Sequence, residues 1–448
     1  MNNSRDSRAK KNNASPKSSV EDMTEIEEPE EFAAVIPEKT RADNKKRHCN
    51  RYKKLLEFKD LQKLSGRLKK QGCKITFTIG SFDLLSAGHC RYLSDAKATG
   101  HKLVVGISSD ASDRRVKGAR YSLISEDLRA ELISCLKVVD YVTIVDNDRP
   151  HASLIMLQPD TFFTCEYDWQ EGLRDKQDEA VIEMYGGGIF RDPIYKPYYN
   201  ISGFVDRVAH IRFLQILQFY LKEKMPELAF TTEPDLKPID FGKQTPRNLF
   251  AFNANNLIYD FSSPEESVAL EALLEGYRKE GLKTLLVSGS YDLLHIGHAR
   301  FIEQASLLAD VAIVATPSDA AVRQLKGTGR PIISERSRAY VLASLDFVDH
   351  VVIFPETGVL KTLRKTKPDI FYTVEDSWNK GYKDSPEYRF VTSYGGKVVR
   401  GPRQSSHIST SAIIDKVAQE KVREIFKDCM DEERYTQILK ERSRLNGK

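Results

Sequence analysis

Residues 288–301 read SGSYDLLHIGHARF and directly follow the apolar run Thr284–Val287. A short apolar run that ends at glycine and polar residues is typical of a buried parallel strand, and the apolar spacing beyond it indicates a helix. Ligands of α/β sheets bind at such strand-to-helix turns, where small residues let backbone amides approach an anion and the helix dipole favours negative charge. His295 and His298, which flank the permissive Gly297, can therefore converge on one bound phosphate.

A second version of this stretch, TIGSFDLLSAGHCRY, stands at residues 78–92. Gly80 and Gly289 are 289 − 80 = 209 positions apart, and the same offset links many other identical residues. These pairs include Asp83/Asp292, His89/His298, Lys117/Lys326, Arg129/Arg338, Asp140/Asp349, Trp169/Trp378 and Tyr185/Tyr394. In the second copy the apolar spacing predicts helices over 298–308 and 338–345. Each copy alternates strand-like and helix-like segments, so the sequence predicts an α/β protein with two tandem, Rossmann-like, doubly wound parallel sheets.

The domain boundaries follow from composition and from the repeat. Residues 1–45, rich in Asn, Ser, Lys and Arg and then in acid, are expected to form a disordered tail. The first copy spans 46–230, a proline-containing linker and packing segment spans 231–282, and the second copy spans 283–448.

Composition narrows the function classes. The chain has 448 residues, a net charge of +4 and 40% hydrophobic residues, and none of its apolar runs approaches the ~20 residues of a membrane span. No apolar signal-peptide core opens the chain, and the six cysteines are scattered without a CxxC pair, which favours a cytoplasmic protein with reduced thiols. Basic runs at 45–47 and 53–54 are interpreted as solvated faces rather than a nucleic-acid site. A homodimer is possible.

The stretch GSYDLLHIGH (289–298) resembles the signature of the HxGH nucleotidyltransferase superfamily, which includes glycerol-3-phosphate cytidylyltransferase and bacterial heptose-phosphate adenylyltransferase. The resemblance extends over nearly all of 283–416. Further matching stretches, in the family's order, are SDAAVRQLKG (318–327), RPIISERSRAYVLASLDFVD (330–349), KPDIFYTVEDSW (367–378) and HISTSAII (407–414). Class I aminoacyl-tRNA synthetases share the HIGH string, but no KMSKS-like loop follows here and no tRNA-binding module is evident.

The resemblance implies a reaction in which a phosphate oxygen of a small phosphorylated alcohol attacks the α-phosphorus of a nucleoside triphosphate (CTP or ATP) and expels pyrophosphate. Such a reaction needs positioning and positive donors rather than a protein nucleophile. The implied catalytic residues are His295, His298 and Lys326. The implied nucleotide-binding residues are Gly289, Ser290, Tyr291, Gly297, Gln404, Ser409, Thr410 and Ser411. The implied substrate-binding residues are Asp292, Arg338 and Trp378. Mg²⁺ is expected to be carried by the phosphates, without a dedicated protein cage.

Base and acceptor stay open at this point. The cytidylyltransferase pattern has an arginine four residues before ISTS, where this chain has Gln404 with Arg403 beside it. GRPI and SDAAVRQLKG resemble the sugar-phosphate adenylyl branch, whereas DLLHIGH and DSW resemble the polyol-phosphate cytidylyl branch. The tandem layout resembles ethanolamine-phosphate cytidylyltransferase of phospholipid synthesis, which is therefore an alternative.

The first copy lacks several of these groups. It carries Ser86 where the second copy has His295, Tyr121 in place of Arg330, and residues 202–204 read SGF in place of STS. Losing several donors should remove most stabilisation of a charged transition state. We therefore interpret the first copy as degenerate, with a scaffold or regulatory role. A non-catalytic nucleotide-binding scaffold is the alternative for the whole chain, and an RNA-associated protein is a third interpretation that rests only on the basic runs and the HIGH string.

Overall fold

The computed structural model of the chain describes residues 51–117, 123–165, 174–192, 253–327, 329–375, 381–404 and 409–415, and a few single positions between 208 and 238. The predicted tail at 1–45, Tyr121, residues 202–204 and Trp378 lie outside the described residues.

Each copy builds one sheet with helices on both faces. In the first copy the strands are β1 (Leu55–Leu56), β2 (Ile75–Gly80), β3 (Lys102–Ser108), β4 (Tyr141–Val145), β5 (Thr161–Cys165) and β6 (Gly188–Asp192). Its helices are α1 (Leu61–Lys70), α2 (Ala87–Ala98), α3 (Asp110–Lys117), α4 (Glu126–Ser134), α5 (His151–Leu157) and α6 (Arg174–Glu183).

The second copy repeats this order of elements. Its strands are β7 (Ile258–Asp260), β8 (Thr284–Ser288), β9 (Val311–Pro317), β10 (His350–Phe354), β11 (Ile370–Val374) and β12 (Lys397–Gly401). Its helices are α7 (Pro264–Lys279), α8 (Ile296–Ser306), α9 (Asp319–Lys326), α10 (Glu335–Ala343), α11 (Leu360–Thr366) and α12 (Pro386–Ser393).

Both sheets are parallel throughout and share one strand order, β1-β4-β3-β2-β5-β6 in the first copy and β7-β10-β9-β8-β11-β12 in the second. This confirms the predicted tandem α/β fold. Central strands covered on both faces must be apolar, and every residue of β9 is buried. The strand order reverses between β8 and β11, and ligands of open parallel sheets bind outside the carboxyl ends of strands at such a point.

The segment before the second copy's HIGH motif is part of that domain. Residues 254–279, which the sequence analysis placed in a linker and packing segment, form a short 3-10 helix, β7 and α7. Strand β7 pairs with β10, and Leu270 and Leu274 of α7 are fully buried. Among the described residues, no helix combines the length and apolar character needed to cross a bilayer.

The two copies pack about a local pseudo-twofold axis. Leu136 and Leu345, which are 345 − 136 = 209 positions apart, form an antiparallel bridge. On either side the Lys137 amide donates to the Ser344 carbonyl (3.0 Å), and the Asp346 amide donates to the Cys135 carbonyl (2.8 Å). One buried apolar cluster runs through both copies, so their cores are continuous.

Candidate active site

The turn after β8 places a tyrosine beneath the HIGH motif. Tyr291 is buried and adopts φ 46°, a left-handed conformation that is uncommon for a residue with a side chain. A Cβ added at Gly289 would lie 2.8 Å from the Tyr291 ring, so glycine is required there. Gly80 and Phe82 (φ 48°) repeat the arrangement in the first copy. The turn is thus a feature of the fold that both copies keep.

The two histidines are stacked at the start of α8. His295 is the N-cap residue, His298 lies in the first turn, and Gly297 stands between them. Their ring centroids are 3.8 Å apart with 24° between the planes, and the Tyr291 ring meets His298 edge-on at 5.3 Å. His295 is buried and His298 is partly exposed, as a group that meets a bound ligand would be. The structure therefore brings both predicted histidines to one point at a helix N-terminus.

Burial keeps this pair neutral. Desolvation lowers the pKa of His295 to about 4. Desolvation also lowers the pKa of His298 well below its usual value, and His295 and the positive charge of Lys326 lower it further. The Nδ1 atom of His295 is buried without a hydrogen-bond partner among the described residues. A neutral imidazole offers a single N–H donor. The Leu293 carbonyl, whose hydrogen bond raises the pKa of His298 and so opposes the desolvation, competes with an anion for that donor.

Cationic side chains surround the pair. Lys326 ends α9 and is exposed, and partial desolvation together with the charges of Arg330 and Arg338 lowers its pKa while Asp292 opposes them. The charge of Arg403 contributes to the lowered pKa of His298, which places this arginine near the pair. The sequence analysis noted Arg403 only as a neighbour of Gln404. The sequence could have indicated this role, because Arg403 stands one residue before the position at which the cytidylyltransferase pattern has an arginine.

Asp292 is buried and makes its contacts within the protein. Its Oδ1 accepts hydrogen bonds from the amides of Ile332 (2.8 Å) and Ile333 (2.9 Å), and its Oδ2 lies 2.8 Å from Nε of Arg330. In the first copy, Asp83 accepts from the amides of Leu123 and Ile124, both at 2.8 Å. Because both copies use this aspartate to fix the same loop, its observed role is structural, and its contact with a substrate stays a prediction.

Arg338 is fully buried and its hydrogen-bonding capacity is used within the protein. A guanidinium has five N–H donors. They are directed at the carbonyls of Ile333 (3.1 Å), Ser290 (2.8 Å) and Pro317 (2.8 Å), the hydroxyl of Thr316 (2.6 Å) and the carboxylate of Asp319 (2.9 Å). Binding a substrate oxygen would require one of these bonds to break, so the predicted substrate contact of Arg338 stays a prediction.

The first copy preserves this clamp. Arg129 donates to the carbonyls of Ile124 (2.9 Å), Ser81 (2.5 Å) and Ser108 (2.8 Å) and to the carboxylate of Asp110 (2.6 Å). A copy that has lost one of the two histidines still holds its arginine in this way. The clamp therefore positions the turn that follows β2 in the first copy and β8 in the second, including the Ser81 and Ser290 carbonyls.

A polar chain in the second copy anchors the segment before the ISTS helix. Nε2 of Gln404 donates to Oε1 of Gln304 (2.5 Å), and the Tyr372 hydroxyl donates to the same oxygen (3.3 Å). The first-copy residues equivalent to Gln304 and Tyr372 are Asp95 and Phe163, and a phenylalanine has no hydroxyl to donate. Gln304 was not predicted, because nothing in the sequence distinguishes a glutamine on α8 from any other helical residue.

The ISTS hydroxyls begin a helix beside the HIGH turn. Oγ of Ser409 accepts from the Ala412 amide (3.0 Å) as an N-cap, and the Thr410 hydroxyl donates to the Leu293 carbonyl (3.4 Å). Ser411 lies in the exposed first turn. The contact between Thr410 and Leu293 places this helix start beside the HIGH turn, and helix starts favour anions.

The site fits an anion better than a metal ion. Within the described ranges, no three His, Cys, Asp or Glu side chains are grouped so that they could hold a metal. The Asp292 carboxylate, the acidic group of the HIGH turn, is already occupied by two amides and Arg330. The remaining donors are imidazoles, an amine, guanidiniums and helix amides, a set suited to phosphate oxygens.

A family model described as cytidylyltransferase-like matches residues 77–207 and again residues 286–416, so that together the two matches cover more than half of the chain. The chain belongs to the cytidylyltransferase-like family. Both matches begin within the strand that leads to the HIGH-type turn, and the second one ends beyond the ISTS helix start.

Relatives of this cytidylyltransferase-like chain include bacterial proteins named bifunctional protein HldE. The protein of Helicobacter pylori strain Shi470 is 40% identical over 241 residues, which are 54% of this chain and 49% of the relative. That of Geobacter metallireducens is 37% identical over 148 residues, 33% of this chain and 29% of the relative. The chain thus spans half or less of the length of these relatives.

Among solved structures, the lipopolysaccharide core biosynthesis protein of Thermoplasma volcanium is 29% identical, with a TM-score of 0.25. The match covers 28% of this chain and 100% of that protein.

Proposed function

We propose that the second copy transfers a nucleotidyl group from a nucleoside triphosphate to a small phosphorylated alcohol and releases pyrophosphate. The observation that carries this proposal is the pair of stacked, neutral histidines at a helix N-terminus, with the charges of Lys326 and Arg403 close enough to lower the pKa of His298. Charge in this reaction builds on the oxygens of the α-phosphate, and a site that presents fixed N–H donors to those oxygens stabilises that charge without reorganising.

Each group has a role in the proposed reaction. The acceptor's phosphate oxygen forms the new bond to the α-phosphorus, and the bond from that phosphorus to the pyrophosphate oxygen breaks. His295 and His298 donate to α-phosphate oxygens, Lys326 acts as a point charge at the site entrance, and Ser409–Ser411 with the helix amides receive the triphosphate. Mg²⁺ would enter with the triphosphate and neutralise part of its charge.

The first copy is proposed to be non-catalytic. Ser86 caps α2 by accepting from the His89 amide, and the Ser86 amide donates to Nδ1 of His89 (both 3.3 Å). This capping box occupies the one histidine that remains, whereas His295 in the second copy makes no such cap. The copy keeps the fold of the turn and has converted its catalytic end into a helix cap.

ATP with a sugar phosphate is the substrate pair we favour. The stretch SDAAVRQLKG resembles the sugar-phosphate adenylyl branch, and Gln404 replaces the arginine typical of the cytidylyl pattern. The alternative is CTP with ethanolamine phosphate, which the tandem layout supports.

The test is a pyrophosphate-release screen of the four nucleoside triphosphates against phosphorylated sugars, polyols and amino alcohols. With the best pair, His298→Ala should lower turnover on the order of a hundredfold. The matched variant His89→Ala should leave turnover within about twofold, with both proteins folded by circular dichroism. Nucleotide binding without pyrophosphate release in any combination would support a binding scaffold instead, and equal losses in the two variants would contradict the division between the copies.

A further inference from the structure

Four charged side chains join the first copy to the helix that carries the catalytic histidines. Nε and Nη2 of Arg300, on α8, donate to the two carboxylate oxygens of Glu131, on α4 of the first copy (2.8 and 2.5 Å). Arg51 lies 3.1 Å from Glu131 and 2.9 Å from Glu303, also on α8. Arg51, Glu131 and Glu303 are buried. Burial raises the pKa of Glu303 to about 7, and the charge of Arg51 opposes this shift.

The position of this cluster on α8 connects it to the site. Helix α8 begins at Ile296, His298 is its third residue and Arg300 its fifth. At about 1.5 Å of rise per residue, the backbone of Arg300 is about 3 Å along the axis from that of His298. A helix moves as a unit over such a distance, so the bidentate pair with Glu131 also sets where the histidines stand.

The pseudo-twofold axis supplies an internal comparison. The residues equivalent to Arg300 and Glu131 are Arg91 on α2 and Tyr340 on α10, by the offset of 209. The Arg91 guanidinium lies over the Tyr340 ring, 4.8 Å from its centroid, and makes one hydrogen bond to the Tyr340 side chain. A bidentate arginine–carboxylate pair fixes orientation as well as distance, whereas a cation–π contact tolerates sliding over the ring face. The more exacting contact thus holds the helix with the complete histidine pair.

We propose that Glu131 of the first copy is a positioning residue for the active site of the second copy, acting through Arg300. The proposal rests on the proposed function of the second copy and extends it, because it gives the first copy a part in turnover. The phosphoryl centre needs its donors aligned, and a displacement of about 1 Å can reduce the rate on the order of a hundredfold. The bidentate pair prevents such a displacement of α8.

The experiment compares the two sides of one interface. Arg300→Lys keeps the charge but loses the bidentate geometry, Glu131→Gln removes the carboxylate, and Arg91→Lys is the matched control. We expect Arg300→Lys and Glu131→Gln each to lower kcat for pyrophosphate release about tenfold, with KM changed less than about threefold. The double variant should be no slower than the slower single variant, because each single change already removes the bidentate contact between Arg300 and Glu131. Arg91→Lys should retain kcat within about twofold.

A second readout is independent of turnover. The ring Cε1–H signals of His295 and His298 in nuclear magnetic resonance spectra report the geometry of the stack directly. They are assigned with variants that each lack one of the two histidines. Arg300→Lys should shift these signals and Arg91→Lys should not. Unmoved signals in Arg300→Lys, or equal kcat losses in Arg300→Lys and Arg91→Lys, would overturn the inference. A wild-type protein that releases no pyrophosphate, yet shows the expected shifts, would refute the proposed function and leave the positioning role of Glu131 standing.

Discussion

Replacing His295 by serine, the residue that the first copy carries as Ser86, should make the protein less sensitive to acid. A histidine in an unfolded chain has a pKa of about 6.5. In the folded protein burial lowers the pKa of His295 to about 4. Between these two values the unfolded chain binds the proton and the folded chain does not, so acidification through this range favours unfolding. The stability that this neutral histidine permits is complete above about pH 6.5 and is lost as the pH falls towards 4.

The magnitude follows from the two pKa values. From about pH 8 to about pH 5 one such site changes the free energy of unfolding by about 2 kcal/mol in the direction of instability. His295→Ser removes this term. Serine fits the position, because Ser86 caps α2 in the first copy, and any gain of about 1 kcal/mol from the new cap would not depend on pH.

The assay is urea unfolding followed by far-ultraviolet circular dichroism at several pH values between about 8 and 5. The continuous core that joins the copies favours one transition for the whole described part of the chain. Wild-type protein should lose about 2 kcal/mol more than His295→Ser over this interval. Parallel curves for the two proteins would show that His295 titrates normally, and the interpretation of the pair as neutral, desolvated donors would then fail.

Two further predictions concern a contact described in the second copy, that of Gln304, and a contact that both copies share, that of Arg338 and Arg129. Gln304→Leu should leave the Gln404 side chain without its hydrogen-bond acceptor. We expect KM for the triphosphate to rise about tenfold with kcat less affected, since an unsatisfied buried polar group typically costs about 1–3 kcal/mol. An unchanged KM would show that Gln404 does not take part in nucleotide binding. The free energy of unfolding should fall by about 2–4 kcal/mol in Arg338→Lys and by a similar amount in Arg129→Lys, because each change removes a buried, hydrogen-bonded guanidinium. A much smaller loss for Arg129→Lys would show that the clamp stabilises the second copy only.

The fold could be predicted because its determinants are local and repeated. Apolar runs, turn glycines and the constant offset indicated parallel strands, and the observed β8 (Thr284–Ser288) differs from the predicted 284–287 by one residue. Helix starts were less accurate. The helix predicted from His298 begins at Ile296, and the one predicted at 338–345 spans Glu335–Ala343, where the Ser334 hydroxyl caps it by accepting from the Ser337 amide. Caps precede the apolar pattern, so periodicity alone places helix starts too late.

The predicted site residues fall into two groups: those that meet at the HIGH turn, and those whose side chains make contacts within the protein. The HIGH motif brought His295 and His298 together as expected. Asp292 and Arg338 stand in the same motifs, yet their atoms bond to the protein, and a motif cannot reveal which way a side chain faces. Gln304 escaped prediction because its partner lies a hundred residues away in the chain, and such a contact exists only after α8 and the end of β12 are packed together.

The repeat provides the control that a single motif lacks. A residue that serves the fold is needed in both copies, and Asp83 and Arg129 indeed make the contacts of Asp292 and Arg338. A residue that serves only the proposed reaction can differ between the copies, as Ser86 and His295 do. A third kind of residue serves the interface between the copies. Lys137 of the first copy donates to the Ala343 carbonyl at the end of α10 (2.8 Å) and to the Leu345 and Val348 carbonyls just beyond it (2.7 and 2.6 Å). A cation at a helix C-terminus stabilises that helix, and here the first copy supplies it to the second. The first copy thus stabilises the second through contacts that do not involve Ser86 or His89.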